Sequence, residues 1–132
     1  MRTYLLLAAL LLGLVGCTAP AASQASGPDA SASAAAQSVA INVMDFMIEP
    51  NDVEVAGPTV TIDVTSNGPT PHNLTVRDAS GQVVMGTEDL SAGDTATISA
   101  EIEPGKYTIF CALPGHESLG MSGTLTVTAG EG

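Results

Sequence analysis

Short apolar segments rich in β-branched residues recur at intervals of about ten residues from residue 39 onward, with Gly, Pro and Asp turns between them. The eight segments are SVAINVMDF, DVEVA, TVTIDVTS, HNLTVRD, QVVMG, TATISAEI, KYTIFC and GTLTVTA. Strands of this length and spacing are typical of β-sandwiches and β-barrels. No long amphipathic helical pattern interrupts the series. We therefore predict one all-β domain over residues 39–132, because a chain of 132 residues has room for one ordinary domain.

The N-terminal residues predict export from the cytoplasm. Arg2 precedes an unbroken apolar run at residues 4–15, YLLLAALLLGLV. A membrane-spanning helix needs roughly 20 apolar residues, so this shorter run is typical of a cleaved signal peptide, which we place at residues 1–16. The run ends in LVGC, which resembles the bacterial lipobox, where Cys17 would be acylated and become the mature N-terminus. An ordinary secretory signal with a chance cysteine is the alternative.

Residues 17–38 predict a flexible tether between that anchor and the domain. After Cys17 they are nearly all Ala, Ser, Pro and Gly, and they offer no periodic apolar face. Such a segment cannot bury enough surface to order itself. Acyl chains on Cys17 would hold the protein at a membrane, since each buried CH₂ contributes about 0.8 kcal/mol. We therefore expect a membrane-anchored lipoprotein whose domain faces the periplasm or the cell exterior.

The charge of the chain limits its partners. Fourteen Asp and Glu residues against three Lys and Arg give a net charge of −11. A field of this sign repels the phosphates of nucleic acids and the headgroups of anionic lipids. The expected partners are therefore proteins, with basic docking surfaces favoured by the same field, and a monomer is the expected state.

One cysteine, one histidine and one methionine lie close together in YTIFCALPGHESLGM, at positions Cys111, His116 and Met121. If Cys17 is acylated, Cys111 has no disulfide partner in the chain. A free cysteine is often simply a buried apolar residue, and that is the plainer interpretation of Cys111. The histidine and the methionine that follow it at equal spacing favour a metal site instead.

The fourth candidate ligand is His72, in TPHNLTV, which is the other of the two histidines in the chain. One cysteine, two histidines and a weakly bound methionine form the ligand set of electron-transfer copper sites. The thiolate is a soft donor, and the imidazoles suit both oxidation states of copper. The residues therefore predict one copper ion bound by His72, Cys111, His116 and Met121.

PHN, followed by YTIFCALPGHESLGMSGTLTV, resembles the cupredoxins, the family of small blue copper proteins that includes plastocyanin and azurin. The resemblance covers residues 39–129. It implies a Greek-key β-sandwich of about eight strands with a single type 1 copper near one end. It also implies that His72, Cys111 and His116 are the strong ligands and that Met121 is the weak axial one.

The resemblance assigns a supporting role to Asn73. The corresponding residue of the family donates its backbone N–H to the cysteine sulfur, and its side chain links the two ligand loops. Many relatives carry Ser or Thr after the cysteine, whereas this chain has Ala112, so the side-chain part of that link is open. The spacing Cys-x4-His-x4-Met leaves the subfamily open as well.

These features predict a membrane-anchored electron shuttle and no enzymatic activity. Multicopper oxidases and nitrite reductases need additional histidines for their catalytic coppers, and a binuclear copper site of the cytochrome-oxidase type needs a second cysteine in the loop. An extracytoplasmic copper carrier is the alternative, with Met44, Met47 or Met85 as auxiliary soft ligands. Their alternation with strand residues favours core packing for these methionines. The complete ligand set argues against a third possibility, a metal-free adhesion module.

Electrons are expected to enter and leave at His116. The resemblance places the edge of the corresponding imidazole at the protein surface. Small or apolar residues flank it in the sequence and predict a flat, dry docking surface: Leu113, Pro114, Gly115, Leu119 and Gly120.

Overall fold

The computed structural model of the protein describes residues 38–130. The predicted signal peptide, Cys17 and nearly all of the predicted tether lie outside these residues. Among the described residues, no helix is both long enough and apolar enough to cross a membrane.

The described part of the chain forms nine β-strands and one 3-10 helical turn. The strands are β1 (Ser38–Met44), β2 (Met47–Glu49), β3 (Asp52–Ala56), β4 (Thr59–Ser66), β5 (Thr75–Arg77), β6 (Val83–Gly86), β7 (Thr95–Glu101), β8 (Gly105–Phe110) and β9 (Ser122–Thr128), and the 3-10 turn is Glu117–Leu119. Each of the eight predicted segments overlaps one of these strands.

The ninth strand, β2, was not predicted from the sequence. It pairs antiparallel with β1 through a two-residue turn at Asp45 and Phe46, so that Met44 lies opposite Met47. Phe46 adopts a left-handed conformation with φ of 63°. A bulky residue rarely takes this conformation. The turn also lacks the Gly or Asn that usually marks a two-residue hairpin turn, so the sequence did not indicate it.

The strands form two sheets. The four-stranded sheet has the order β2-β1-β4-β7, and the five-stranded sheet has the order β3-β9-β8-β5-β6. β1 and β4 are parallel, as are β3 and β9, and the other neighbours are antiparallel. The chain crosses repeatedly between the sheets, so strands distant in sequence become neighbours. The predicted all-β sandwich is confirmed.

Alternation of apolar and polar residues explains why the two sheets pack together. In β4, Val60, Ile62 and Val64 are buried, whereas the residues between them are partly exposed. Each fully buried side chain of this size contributes roughly 1.5–3 kcal/mol relative to an exposed one. The apolar cluster consists of Ile41, Val43, Ile48, Val53, Val55, Val60, Ile62, Val64, Leu74, Val76, Leu90, Ile102, Ile109, Leu125 and Val127, and it continues into Cys111 and Met121. The candidate ligands Cys111 and Met121 are thus part of the core.

Candidate metal centre

The loop between β8 and β9 is closed by its own backbone hydrogen bonds. The N–H of Cys111 donates to the carbonyl of Met121 over 3.1 Å, and the N–H of Met121 donates to the carbonyl of His116 over 3.1 Å. The 3-10 turn follows His116 and is itself followed by Gly120, where φ is 114°. A residue with a side chain is strained at this φ, so glycine allows the chain to turn back toward β9. The backbone therefore holds three candidate ligands together.

The fourth candidate, His72, reaches the site from the segment just before β5. It is paired with Leu90 through two backbone hydrogen bonds, of 3.0 Å from the His72 N–H and 2.7 Å to the His72 carbonyl. Its neighbour β5 pairs with β8, whose last residue, Phe110, precedes Cys111. Sheet pairing thus brings two segments distant in sequence to the same end of the sandwich.

Three donor atoms converge at this end. His72 Nδ1 lies 3.3 Å from His116 Nδ1, and Cys111 Sγ lies 3.5 Å from His116 Nδ1. All three atoms lie within 4.8 Å of one another. Donors about 2.0–2.3 Å from one ion, at near-tetrahedral to trigonal angles, are separated by about 3.3–3.8 Å. The three residues therefore fit around a single metal ion.

The site is buried except at one ligand. His72, Cys111 and Met121 are fully buried, whereas His116 is half-buried. Met121 belongs to the apolar core and is joined to Cys111 and to His116 by backbone hydrogen bonds. The residues therefore form the arrangement of two histidines, one cysteine and one methionine that is typical of type 1 copper sites.

Asn73 connects the two ligand segments. Its backbone N–H points to Cys111 Sγ at 3.5 Å, and its side-chain Oδ1 accepts a hydrogen bond of 2.7 Å from the backbone N–H of Ala112. Its Nδ2 donates to Asp89 Oδ1 over 2.8 Å. Because Ala112 stands where many relatives carry Ser or Thr, the sequence did not decide whether the side-chain link is made. In the structure the link is made by the Ala112 main chain, so it does not need a hydroxyl side chain.

The other ring nitrogen of His72, Nε2, contacts two residues that were not predicted from the sequence. Asp45 Oδ1 lies 3.4 Å from His72 Nε2, and Thr70 Oγ1 lies 3.3 Å from the same nitrogen. The Thr70 hydroxyl also donates a hydrogen bond to the Asp45 carboxylate. The closeness of Thr70 to His72 in the sequence could have suggested their contact. Asp45 belongs to the distant β1–β2 turn, and nothing in the sequence indicates that it contacts His72.

Several effects act on the ionisation of His72. Burial lowers its pKa, the nearby carboxylate of Asp45 opposes that change, and a positive charge on His116 would lower the pKa further. The net effect is a lowered pKa. Metal ligation requires a neutral imidazole with a free lone pair, so this environment favours binding.

The fold and the site define a class of protein. The sequence matches the cupredoxin-like domain family over residues 6–127, and the chain therefore belongs to that family. The predicted resemblance to cupredoxins is confirmed. A comparison with curated proteins finds no match.

Solved structures share the fold at low sequence identity. An auracyanin of the photosynthetic bacterium Roseiflexus castenholzii, in a dithionite-reduced form, is 18% identical with a TM-score of 0.64, over 69% of this chain and 96% of that one. Auracyanin B is 21% identical with a TM-score of 0.65, over 70% and 89%. A purple cupredoxin from Nitrosopumilus maritimus is 22% identical with a TM-score of 0.51, over 67% and 98%.

Proposed function

We propose that this protein is a mononuclear type 1 copper protein that shuttles single electrons between redox partners outside the cytoplasm. The observation that carries the proposal is the convergence of His72 Nδ1, Cys111 Sγ and His116 Nδ1 within 4.8 Å. When bound, the copper supplies one-electron chemistry by alternating between Cu(II) and Cu(I). The protein residues supply the ligands, the dry surroundings and the contact with the partner.

The chain holds its ligands so that electron transfer requires little movement. Cys111 and Met121 lie in the apolar core and share a backbone hydrogen bond. Asn73 fixes the cysteine sulfur from one side and the start of the ligand loop from the other. A site constrained at so many points resists the change of geometry that copper would otherwise undergo on reduction.

The ligand that communicates with partners is His116, because it alone of the four is partly exposed. Leu119, in the same loop, is 59% exposed, and Phe46, in the β1–β2 turn, is 57% exposed. The Phe46 carbonyl lies close to Gly120, since a methyl group placed on Gly120 would be 3.1 Å from it. The β1–β2 turn therefore borders the ligand loop and enlarges the predicted apolar surface. Leu113, predicted to belong to this surface, is half-buried and packs against the core.

The negative charge of the chain supports partners with basic surfaces. A net charge of −11 would steer a basic partner toward the protein and raise the rate of encounter at low ionic strength. Such encounters need only a small interface, and a shuttle benefits from weak binding because it must also leave.

Membrane attachment through Cys17 is part of the proposal, supported by the LVGC sequence and by the composition of residues 18–38. Intact-mass measurement of the native protein should show loss of residues 1–16 and the addition of acyl groups. Cys17→Ser should block processing or release the domain from the membrane fraction. A mature protein without lipid would contradict this part of the proposal and leave the copper site untouched.

Addition of Cu(II) tests the function directly. The protein should become intensely coloured through charge transfer from the Cys111 thiolate to copper, with one copper per chain. Cys111→Ser should abolish the colour, whereas Met85→Leu, a change at a partly buried non-ligand that packs on the core, should keep it. Copper uptake without colour, or colour in Cys111→Ser, would contradict a type 1 site.

The alternative function, a copper carrier, makes a different prediction for the methionines. Met85 packs against the core as expected, but Met47 is exposed, so core packing was the wrong interpretation for that residue. An exposed thioether is available to a soft ion. If the protein delivers copper, Met47→Leu should slow the transfer of Cu(I) to a chelator. If the protein is an electron shuttle, Met47→Leu should leave its function unchanged.

A further inference from the structure

The second nitrogen of the His72 ring lies between two oxygen atoms. Asp45 Oδ1 is 3.4 Å from Nε2 and Thr70 Oγ1 is 3.3 Å from it. His72 is fully buried, whereas the Asp45 side chain is 28% exposed. The carboxylate therefore closes the site on the side away from Cys111 and His116, at the border between the core and the solvent.

The chemistry of these groups determines where the His72 proton lies. An ionised carboxylate can only accept hydrogen bonds, and the Thr70 hydroxyl hydrogen is already donated to Asp45. Both oxygens can therefore act only as acceptors toward Nε2, so Nε2 carries the hydrogen. Nδ1 is then left with its lone pair, directed at the space shared with Cys111 Sγ and His116 Nδ1.

The fold provides a dedicated position for this contact. A methyl group placed on Gly68 would lie 2.6 Å from His72 Nε2 and 3.0 Å from the backbone nitrogen of Asp45. Only a glycine allows the loop before His72 to pass so close to both groups. The loop is also held against β1, because the Asn67 N–H donates to the Val43 carbonyl over 2.9 Å.

We propose that Asp45 is a positioning residue for the metal: its carboxylate fixes His72 as the Nε2–H tautomer and strengthens Nδ1 as a donor to Cu(II). A histidine ligand whose other nitrogen donates to a carboxylate is more basic than one that donates to a neutral acceptor. A stronger donor stabilises Cu(II) over Cu(I) and lowers the reduction potential. The effect on copper rests on the proposed function, whereas the tautomer does not.

The tautomer is tested first, in the metal-free full-length chain labelled with ¹⁵N. The His72 ring should show a proton on Nε2 and none on Nδ1, and in Asp45→Ala this single tautomer should be lost. A proton on His72 Nδ1 in the unaltered protein would overturn the proposal. This measurement uses no copper, so it separates failure of the inference from failure of the copper assignment.

The donor strength is tested by copper titration and redox measurement on Asp45→Ala and Asp45→Asn. Loss of a partner that orients a metal ligand typically costs about 10–100-fold in metal affinity. We expect Cu(II) affinity to fall in this range for Asp45→Ala and less for Asp45→Asn, with a smaller loss for Cu(I). Each tenfold difference between the two losses raises the reduction potential by about 59 mV.

Asp63→Asn is the matched control. Asp63, on β4, accepts a hydrogen bond of 2.6 Å from the Thr97 hydroxyl, so this variant also neutralises a carboxylate paired with a threonine. It should leave the His72 tautomer and the Cu(II) affinity unchanged. Equal shifts of potential in Asp45→Asn and Asp63→Asn would mean that net charge alone acts, and would overturn the proposal. If Asp45→Ala does not fold, Asp45→Asn, which is nearly the same shape, decides the outcome.

Discussion

The guanidinium group of Arg77, at the end of β5, forms a two-point ion pair with the carboxylate of Glu117, the residue after His116. Nη1 donates to Oε2 over 3.1 Å, and Nη2 donates to Oε1. The same guanidinium lies 4.2 Å from the centre of the Phe110 ring, and Phe110 precedes Cys111. One side chain of the neighbouring strand therefore contacts the ligand loop beside two of its ligands.

Replacement of Arg77 should increase the local motion of the ligand loop, while the free energy of unfolding of the whole domain falls only modestly. Partly exposed ion pairs contribute about 1 kcal/mol or less, and exposed cation–π contacts about 0.5–1 kcal/mol. Arg77→Ala should therefore lower the free energy of unfolding by about 1–2 kcal/mol and speed hydrogen exchange of amides in residues 117–120. Arg77→Lys should recover little, because lysine cannot form the two-point contact.

Lys106→Ala is the control for this charge change, since Lys106 is an exposed cation on β8. It should leave exchange in the ligand loop unaltered. If both variants speed exchange equally, the loop responds to overall charge and the Arg77–Glu117 contact has no specific role.

Met121→Leu tests the proposal that Met121 is a weak axial ligand. Leucine is close to methionine in volume and preserves the buried packing, but it removes the thioether sulfur. We expect the colour to remain and the reduction potential to rise, because a donor that stabilises Cu(II) is lost. Voltammetry measures the shift, and Met85→Leu should show none. An unchanged potential in Met121→Leu would mean that the sulfur does not contact the metal.

Asp78 should make stability depend on pH at the turn between β5 and β6. Its Oδ1 accepts hydrogen bonds from the Ser80 hydroxyl over 2.6 Å, the Gln82 N–H over 2.9 Å and the Ser80 N–H over 2.8 Å. These bonds, with the Ser80 hydroxyl foremost, lower the pKa of Asp78 below its ordinary value of 3.8. Stabilisation from this group is therefore present above pH 3.8 and is lost as the pH falls through the lower, folded-state pKa.

Urea unfolding across a pH series checks this expectation. Asp78→Ala should unfold at lower urea concentration than the unaltered protein at pH 7, and the difference should shrink below about pH 4. Glu88→Ala, at an exposed carboxylate between β6 and β7, should show no such convergence. A difference that stays constant down to pH 2 would mean that the carboxylate charge does not act in the turn.

The sequence was most informative where a residue type carries its own chemistry or periodicity. Apolar alternation predicted eight strands because burial on one face requires a period of two. His72, Cys111 and His116 were found because few residue types can bind a soft metal. β2 was missed because its turn uses Phe46 in an unfavourable conformation. The contacts of Asp45 with His72 and of Arg77 with Glu117 were also missed, because each joins segments that only the folded sheets bring together.

Leu119→Glu tests the route of the electron through the surface around His116. Leu119 is exposed, so a charge there should leave the fold, colour and copper content unchanged while disturbing a dry contact. Electron self-exchange between the oxidised and reduced protein, measured by NMR line broadening, needs no other partner. We expect Leu119→Glu to slow it at least tenfold, whereas Val83→Glu, at an exposed valine on β6, should slow it little.

Added salt should speed self-exchange between two acidic molecules and slow exchange with a basic redox protein, because it screens repulsion in the first case and attraction in the second. Equal rates in the two variants at every salt concentration would mean that electrons leave by another surface.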